Sequence, residues 1–191
     1  YLCVLFFSVT SIVHTKTLDD ALIESQNFNY KKSLKTIKKL PDTDENKKYL
    51  AWARLRVGDY YEASEIFLKC EQNDYEILFG LGLSYFLQED YENAFLYFGK
   101  CLEANKNCAA AEYFRGEIKV QQGFYDDAVK HYKATLKLDY NFVEARLKLA
   151  EVYTTLKNYN DSFREWSTLL NVDLQLKIAQ QQKQNLLALI T

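Results

Sequence analysis

Residues 75–102 read YEILFGLGLSYFLQEDYENAFLYFGKCL, and two helical patterns in this stretch are separated by Glu89-Asp90. Before that acidic pair, one face of a helix carries apolar or small residues at Ile77, Leu78, Leu81, Gly82 and Tyr85. The helical spacing resumes after it with Ala94, Phe95, Phe98 and Leu102. The stretch therefore predicts two antiparallel helices joined by a tight turn, with small residues where the helices cross.

The same pattern occurs five times along the chain. Each copy has a Tyr followed three residues later by Ala or Ser, at Tyr30/Ser33, Tyr60/Ala63, Tyr91/Ala94, Tyr125/Ala128 and Tyr159/Ser162. Twelve positions before each Ala or Ser stands another small residue, at Ala21, Ala51, Gly82, Gly116 and Ala150. Four positions after it stands a bulky one, at Ile37, Phe67, Phe98, Tyr132 and Trp166. The copies are 30, 31, 34 and 34 residues apart, and such periods predict stacked units that share one core.

We call each set of equivalent positions in the five copies a column. From residue 17 to about 172, these columns resemble those of the tetratricopeptide repeat (TPR) family, whose units are helix–turn–helix pairs. The resemblance implies an all-α, right-handed α-solenoid of about five units, which we place at residues 16–172. It also implies a concave surface lined by the first helix of each unit. Because the first two periods are short, we expect tight linkers near residues 41–43 and 72–74.

Each turn carries a residue pair that ends one helix and begins the next, at Phe28-Asn29, Gly58-Asp59, Glu89-Asp90, Gly123-Phe124 and Lys157-Asn158. Gly and Asn tolerate the left-handed conformation that ends a helix, and Asp can cap the following one. Thr17 is the expected N-cap of the first helix.

The two ends of the chain differ from the repeats. Residues 1–15 carry no Lys, Arg, Asp or Glu and resemble the apolar core and cleavage end of a secretory signal, with its basic start expected upstream. If this segment is a signal, we expect an exported protein in the periplasm or the cell envelope. If it is not, we expect a cytoplasmic protein. The alternatives are an uncleaved membrane anchor and a buried helix of a missing unit. Residues 173–191 are expected to form a capping helix or to begin a sixth unit.

Composition and reactive residues argue against catalysis. The formal net charge is −2, which argues against a nucleic-acid binder, and the lysines on the first unit's second helix are interpreted as a solvated face. With two histidines and no zinc-type cysteine pair, we expect no enzyme, metal or cofactor. Cys70 and Cys101 are expected to pack in the core. Cys108 lies at a unit junction within reach of Cys101, although an odd cysteine count after leader removal argues against a disulfide framework.

The candidate function is binding of a protein or peptide partner. We predict a groove along the first helices that contains Trp52, Phe79, Leu83, Phe86, Tyr113, Glu117 and Glu151. Phe79 and Tyr113 would be anchors, and the glutamates would select basic or amide-rich segments. The alternative is that such side chains only pack between repeats. Two other functions stay open: a regulatory or assembly subunit in a larger complex or longer repeat chain, and an accessory or carbohydrate-binding module of the envelope.

Overall fold

The computed structural model describes residues 17–172 and 177–190, and these residues form eleven α-helices and no β-strand. The helices are α1 (Leu18–Gln26), α2 (Tyr30–Ile37), α3 (Asp44–Val57), α4 (Tyr60–Leu68), α5 (Tyr75–Leu87), α6 (Tyr91–Ala104), α7 (Ala109–Gln121), α8 (Tyr125–Leu138), α9 (Val143–Thr155), α10 (Tyr159–Val172) and α11 (Lys177–Ile190). Each helix packs on its neighbours in the chain, so α1 to α10 form five helix pairs and α11 packs on α10. The predicted α-solenoid is confirmed.

The repeat columns form the core between the paired helices. The small residues predicted at the crossings are all buried, as Ala21, Ser33, Ala51, Ala63, Gly82, Ala94, Gly116, Ala128, Ala150 and Ser162. The bulky column is buried as well, at Ile37, Phe67, Phe98, Tyr132 and Trp166. Small and bulky positions therefore meet inside each unit, which explains why they recur together.

The two glycines of α5 each make room for an aromatic ring. A Cβ at Gly82 would lie 2.7 Å from the ring of Phe98, the bulky residue of the same unit. A Cβ at Gly80 would lie 2.4 Å from the ring of Phe67, the bulky residue of the preceding unit. α5 thus packs against a ring on each side, and the glycines are needed because carbon atoms prefer to be about 3.5–4.0 Å apart.

The position of Gly80 is a further column, whose residue packs on the preceding unit in the second, third and fourth units. Its equivalent in the fourth unit is Phe114, whose ring stacks on Phe98 of the third unit with centroids 5.3 Å apart. Its equivalent in the second unit is Tyr49, which packs on the cluster that contains Ile37. Tyr49, Gly80 and Phe114 differ in size, so these three junctions are filled differently. The fifth unit has Lys148 at this position, which pairs with Glu151.

The turns within the units all use the left-handed conformation at the same position. φ is positive at Phe28 (59°), Glu89 (62°) and Lys157 (61°), and at Gly58 (94°) and Gly123 (78°). The expected Asp caps are present only in part. Asp90 accepts a hydrogen bond from the Asn93 amide, whereas Asp59 does not cap its helix and pairs with Arg54 at 2.6 Å.

The expectation of tight linkers was wrong. The connections 38–43 and 69–74 are longer than the later connections 105–108 and 139–142. The first two periods are short because α2 and α4 have 8 and 9 residues, whereas α6 and α8 have 14 each. The first units therefore have shorter second helices, which present less apolar surface to their neighbours.

Both ends of the array have defined features. Thr17 caps α1 in a capping box with Asp20, as predicted. At the other end, Leu186 of α11 is buried in a cluster with Ala150, Trp166 and Leu169, so α11 covers the last helix pair. The predicted leader at residues 1–15 lies outside the described residues. Among the helices of the described part, none has the length and apolarity needed to cross a bilayer.

Candidate partner-binding groove

The first helices of the central units touch one another and form a common surface. α3 contacts α5, and α5 contacts α7. We call the surface of α3, α5, α7 and α9 the first-helix face. All seven predicted groove residues lie on these four helices. Their side chains differ in how far they remain available to a partner.

A row of aromatic rings runs along the first-helix face, from α3 to the start of α9. We call it the aromatic strip, and it consists of Trp52, Phe79, Phe114, Tyr113 and Phe142. The successive centroid distances are 6.4 Å, 5.9 Å, 5.3 Å and 5.2 Å. Each ring of the strip is half-buried. Ring pairs at such distances stabilise one another by about 0.5–1.5 kcal/mol beyond their burial, so the strip is held in place before any partner arrives.

Phe79 is mainly a packing residue. Its ring lies 5.5 Å from the buried ring of Phe98, in addition to its contacts with Trp52 and Phe114. Leu83 packs against the clusters of the second and third units together. Phe86 lies 5.2 Å from Phe114. These side chains join repeats, as the alternative interpretation expects.

Tyr113 is the ring of the strip with acidic surroundings. It stacks on Phe142 with an interplanar angle of 28° and lies 5.9 Å from Tyr132. Burial raises the pKa of the Tyr113 hydroxyl, and the negative charges of three nearby carboxylates raise it further, those of Glu117, Glu144 and Glu151. A ring beside several carboxylates is suited to a cationic group, because both the ring face and the carboxylates attract positive charge.

The three carboxylates are held differently. Glu117 accepts a hydrogen bond from the Tyr132 hydroxyl and is half-buried, so its position is fixed. Glu151 is exposed and accepts a hydrogen bond from Lys148 at 3.1 Å. Glu144 is exposed in the first turn of α9. The acidic rim therefore combines one fixed carboxylate with two at the surface.

At the opposite end of the first-helix face, two carboxylates share one ammonium group. The Lys48 ammonium group donates hydrogen bonds to Glu76 at 2.6 Å and to Asp74 at 3.0 Å. The hydrogen bond with Glu76 is the main reason why the pKa of Lys48 is raised. One of the two negative charges at this end is thus compensated. Of the three carboxylates around Tyr113, that of Glu151 is paired with Lys148, so the net negative charge is larger there.

The sequence interpretation missed three members of this site. Phe114 was overlooked because it belongs to the column that faces the preceding unit, and the repeat pattern did not include that column. Phe142 precedes α9, in a linker that helical spacing does not cover. Glu144 lies on the first turn of α9, where an acidic residue is expected to favour the helix dipole. A comparison of the positions that lie two residues before the first small residue of each unit would have found Phe114.

His131 and Cys70 are engaged in contacts within the array. The described residues contain no group of three or more His, Cys, Asp and Glu side chains placed to hold a metal ion. His131 lies on α8, where its Nδ1 is 2.7 Å from a carboxylate oxygen of Glu112 and its ring contacts Phe95. Cys70 is buried and donates to the backbone carbonyl of Ile66. These side chains have packing roles within and between the helices.

Comparison with known proteins identifies the repeat. A family model described as TPR repeat matches residues 116–157, and one described as Tetratricopeptide repeat matches residues 75–108. Tetratricopeptide repeat protein 13 of Homo sapiens is 33% identical over 72 residues, which are 38% of this chain and 8% of that protein. The match therefore covers less than a tenth of the length of this relative.

Solved structures share the fold at low sequence identity. The MamA protein has a TM-score of 0.69 at 18% identity, over 81% of this chain and 88% of its own. A thermophilic TPR protein of Thermus thermophilus has a TM-score of 0.69 at 18% identity, over 90% and 97%. A chain of the APC/C hetero-tetramer Cut9–Hcn1 has a TM-score of 0.74 at 18% identity, over 89% and 35%. These similarities concern the fold alone.

Proposed function

Because the chain is a tetratricopeptide repeat protein, we propose that it is a non-catalytic scaffold that holds a segment of a partner protein along the first-helix face. Arrays of this fold generally hold other proteins and carry no chemistry of their own. The observation that supports this site is the combination of the aromatic strip with the acidic rim at Tyr113. Such a surface is half-buried and preformed, which lowers the entropic cost of binding.

The partner segment we propose carries basic side chains next to apolar ones. The apolar side chains would cover the exposed edges of the strip, and a Lys or Arg would lie over the Tyr113 ring within reach of Glu144 and Glu151. A segment rich in Asp and Glu would bring like charges together at this rim, which costs affinity. Charge therefore sets the specificity in this proposal, and the rings supply the affinity.

An array of synthetic peptides of equal length tests the proposal directly. One set carries Lys or Arg beside apolar residues, and a matched set carries Asp or Glu at the same positions. We expect the protein to retain the basic set, and binding should weaken as salt is added. Equal retention of both sets, or preference for the acidic set, would contradict the proposed chemistry of the groove.

Variants at Tyr113 assign the binding to the strip. Tyr113→Ala should weaken the selected peptide about 30-fold, because truncating an aromatic anchor costs about 2 kcal/mol or more. Tyr113→Phe is the matched control, since it keeps the ring that stacks on Phe142 and should bind within about 3-fold of the original chain. Phe79→Ala is a poor test, because Phe79 also packs on the Phe98 ring and its loss destabilises the fold.

Charge reversal at the rim tests the contribution of the acidic groups to binding independently of the rings. Glu144→Lys together with Glu151→Lys should reduce binding of basic peptides and make it less dependent on salt. Glu65→Lys together with Glu103→Lys is the matched control, because both are exposed glutamates on second helices, α4 and α6, and the net charge changes by the same amount. If both changes reduce binding equally, only the overall charge matters and the site assignment fails.

A second function, an assembly subunit or part of a longer repeat chain, is favoured by the comparisons. The chain matches 8% of the length of its human relative, and one structural neighbour is part of the hetero-tetramer Cut9–Hcn1. In that case the ends of the array would contact further repeats or subunits. The size of the endogenous protein, determined by denaturing and native gel electrophoresis, tests this alternative. A size of 22.4 kDa or less in both would contradict it.

We also propose export, on the basis of residues 1–15. This stretch contains no Lys, Arg, Asp or Glu, and it stands immediately before the cap of α1. Cleavage between residues 14 and 16 would leave Thr17 and the first unit intact. N-terminal sequencing of protein from the native host distinguishes a cleaved signal from a retained anchor or an additional repeat.

A further inference from the structure

Cys101 and Cys108 bring two thiols together at the junction of the third and fourth units. Cys101 lies in the last turn of α6, and Cys108 is the N-cap residue of α7. Backbone hydrogen bonds fold the turn between them: the Asn105 amide donates to the Cys101 carbonyl at 2.8 Å, and the Cys108 amide donates to the Asn105 carbonyl at 3.1 Å. Both belong to one apolar cluster, in which Cys101 is fully buried and Cys108 is half-buried. Both are free thiols in this structure.

The two thiols differ in reactivity. The neighbouring Cys101 thiol is the main cause that lowers the pKa of Cys108, and the Ala111 amide at the start of α7 lowers it as well. The pKa of Cys101 is raised, first by the Cys108 thiol and then by burial. A thiolate is the attacking species in thiol–disulfide exchange. Cys101 is fully buried whereas Cys108 is half-buried, so an oxidant reaches Cys108 more easily. Cys108 is therefore suited to react first, and Cys101 to react second.

We propose that Cys101 and Cys108 form a reversible disulfide that fastens the third unit to the fourth. The pair lies within one short segment, so closure needs only local movement that brings the sulfur atoms to about 2.0 Å. In an oxidising compartment the bond would form and persist, and in a reducing one the thiols would stay free. The pair is thus a redox-dependent modification site in the middle of the array.

The oxidant is a small organic disulfide, such as oxidised glutathione. The Cys108 thiolate attacks one of its sulfur atoms, the S–S bond breaks, and one glutathione thiolate leaves. Cys101 then loses its proton to solvent or to the departing thiolate, and its sulfur attacks the Cys108 sulfur of the mixed disulfide. The second glutathione leaves as a thiolate. The protein has lost two hydrogen atoms, and the oxidant has become two molecules of glutathione thiol.

Closure should change stability more than shape. The bond would join the end of α6 to the start of α7, next to Phe98 and Ile118 of the same cluster. Cross-linking residues this close in sequence still removes conformations from the unfolded chain. We expect the melting temperature of the oxidised chain to exceed that of the reduced chain by about 5 °C.

Peptide mapping of the full chain tests the proposal. The protein is equilibrated with defined ratios of oxidised and reduced glutathione, free thiols are alkylated, and the chain is digested with trypsin. Lys106 lies between the two cysteines, so the disulfide would link peptide 101–106 to peptide 107–115. We expect this linked pair, with a mass about 2 Da below the sum of the separate peptides, and its reversal by excess reduced glutathione. Absence of the linked pair under fully oxidising ratios would overturn the proposal.

Single-cysteine variants test the order of the two steps. Cys101→Ser should accumulate glutathione on Cys108, because no second thiol resolves the mixed disulfide. Cys108→Ser should leave Cys101 largely unmodified in the folded protein, because Cys101 is fully buried. Cys70→Ser is the matched control, since Cys70 is buried at the equivalent position of the second unit and should leave the linked pair unchanged. Equal glutathione uptake by both single variants, with circular dichroism showing both folded, would contradict this order. If either serine variant fails to fold, alanine at the same position replaces it.

Discussion

Replacing Gly82 by alanine places a methyl group where α5 crosses α6. The new Cβ would lie 2.7 Å from two carbon atoms of the Phe98 ring, about 1 Å closer than carbon atoms normally approach. The ring cannot move away easily, because it is fully buried, stacks on Phe114 at 5.3 Å and contacts Phe79 at 5.5 Å. The methyl group therefore has to push the two helices apart or force the ring out of its rotamer.

Two opposing terms decide the sign of the effect. Alanine is favoured over glycine in a helix interior by about 1 kcal/mol. Overpacking of a filled core costs about 1–3 kcal/mol. We therefore expect Gly82→Ala to lower the free energy of unfolding by up to about 2 kcal/mol, with a fall in the melting temperature of up to a few degrees. Gly82→Leu and Ala94→Leu should cost more, and Lys35→Leu on an exposed helix face should cost little.

Gly99 provides the matched control. It also lies inside a helix, α6, but a Cβ added there would meet no atom within 4 Å. Gly99→Ala should therefore raise the free energy of unfolding by up to about 1 kcal/mol through helix propensity alone. Urea unfolding followed by far-UV circular dichroism measures both variants under the same conditions.

The opposite signs of the two effects make the comparison decisive. If Gly82→Ala is as stabilising as Gly99→Ala, the close approach of α5 to Phe98 is not present in solution. A double variant adds a second check. Phe98→Leu removes part of the ring, so Gly82→Ala should be less harmful in that background, with a coupling free energy of about 0.5–3 kcal/mol. Simple additivity would refute the proposed contact.

Three further results are expected. Glu89 has φ 62°, so Glu89→Gly should stabilise the chain by about 0.5–1 kcal/mol in thermal unfolding. Gly123 has φ 78°, so Gly123→Ala should destabilise it by about 1 kcal/mol. The same sign for both variants would refute the turn assignment. The hydrogen bond with His131 lowers the pKa of Glu112, so this carboxylate stabilises the fold above about pH 4.5 and loses its effect as pH falls through the lower folded pKa. Glu112→Gln should therefore flatten the acid side of the stability profile, and an unchanged profile would refute this coupling. Protein from the native host should begin between residues 14 and 16 on N-terminal sequencing, and retention of earlier residues would reject cleavage.

The sequence predicted the fold well because every unit repeats the same packing of small residues against bulky ones. Small residues such as Ala63 and Gly116 recur with bulky partners at fixed spacing, and five copies in register leave few other architectures. The tight linkers were predicted wrongly for a related reason. Spacing alone gives the length of a unit, whereas α2 and α4 show that the missing residues come from the second helix.

The candidate site was only partly predictable. Helical spacing put Phe79 and Tyr113 on one surface, and the structure brings both into the aromatic strip. Spacing does not show that Phe79 is engaged by the Phe98 ring, since that contact depends on how two helices cross. It also does not show that Tyr132 fixes Glu117 by a hydrogen bond across α7 and α8. Contacts between units depend on tertiary geometry, which the columns within a unit do not describe.

Photo-crosslinking is the measurement that tests the proposed function most directly. The best basic peptide from the array is made with a diazirine side chain in place of one apolar residue, bound to the protein, irradiated and mapped by mass spectrometry. We predict that the crosslinks fall on α5, α7 and α9, centred on Tyr113 and reduced in Tyr113→Ala. Crosslinks confined to α4, α6, α8 and α10 would contradict the account, because they would place the partner on the second helices.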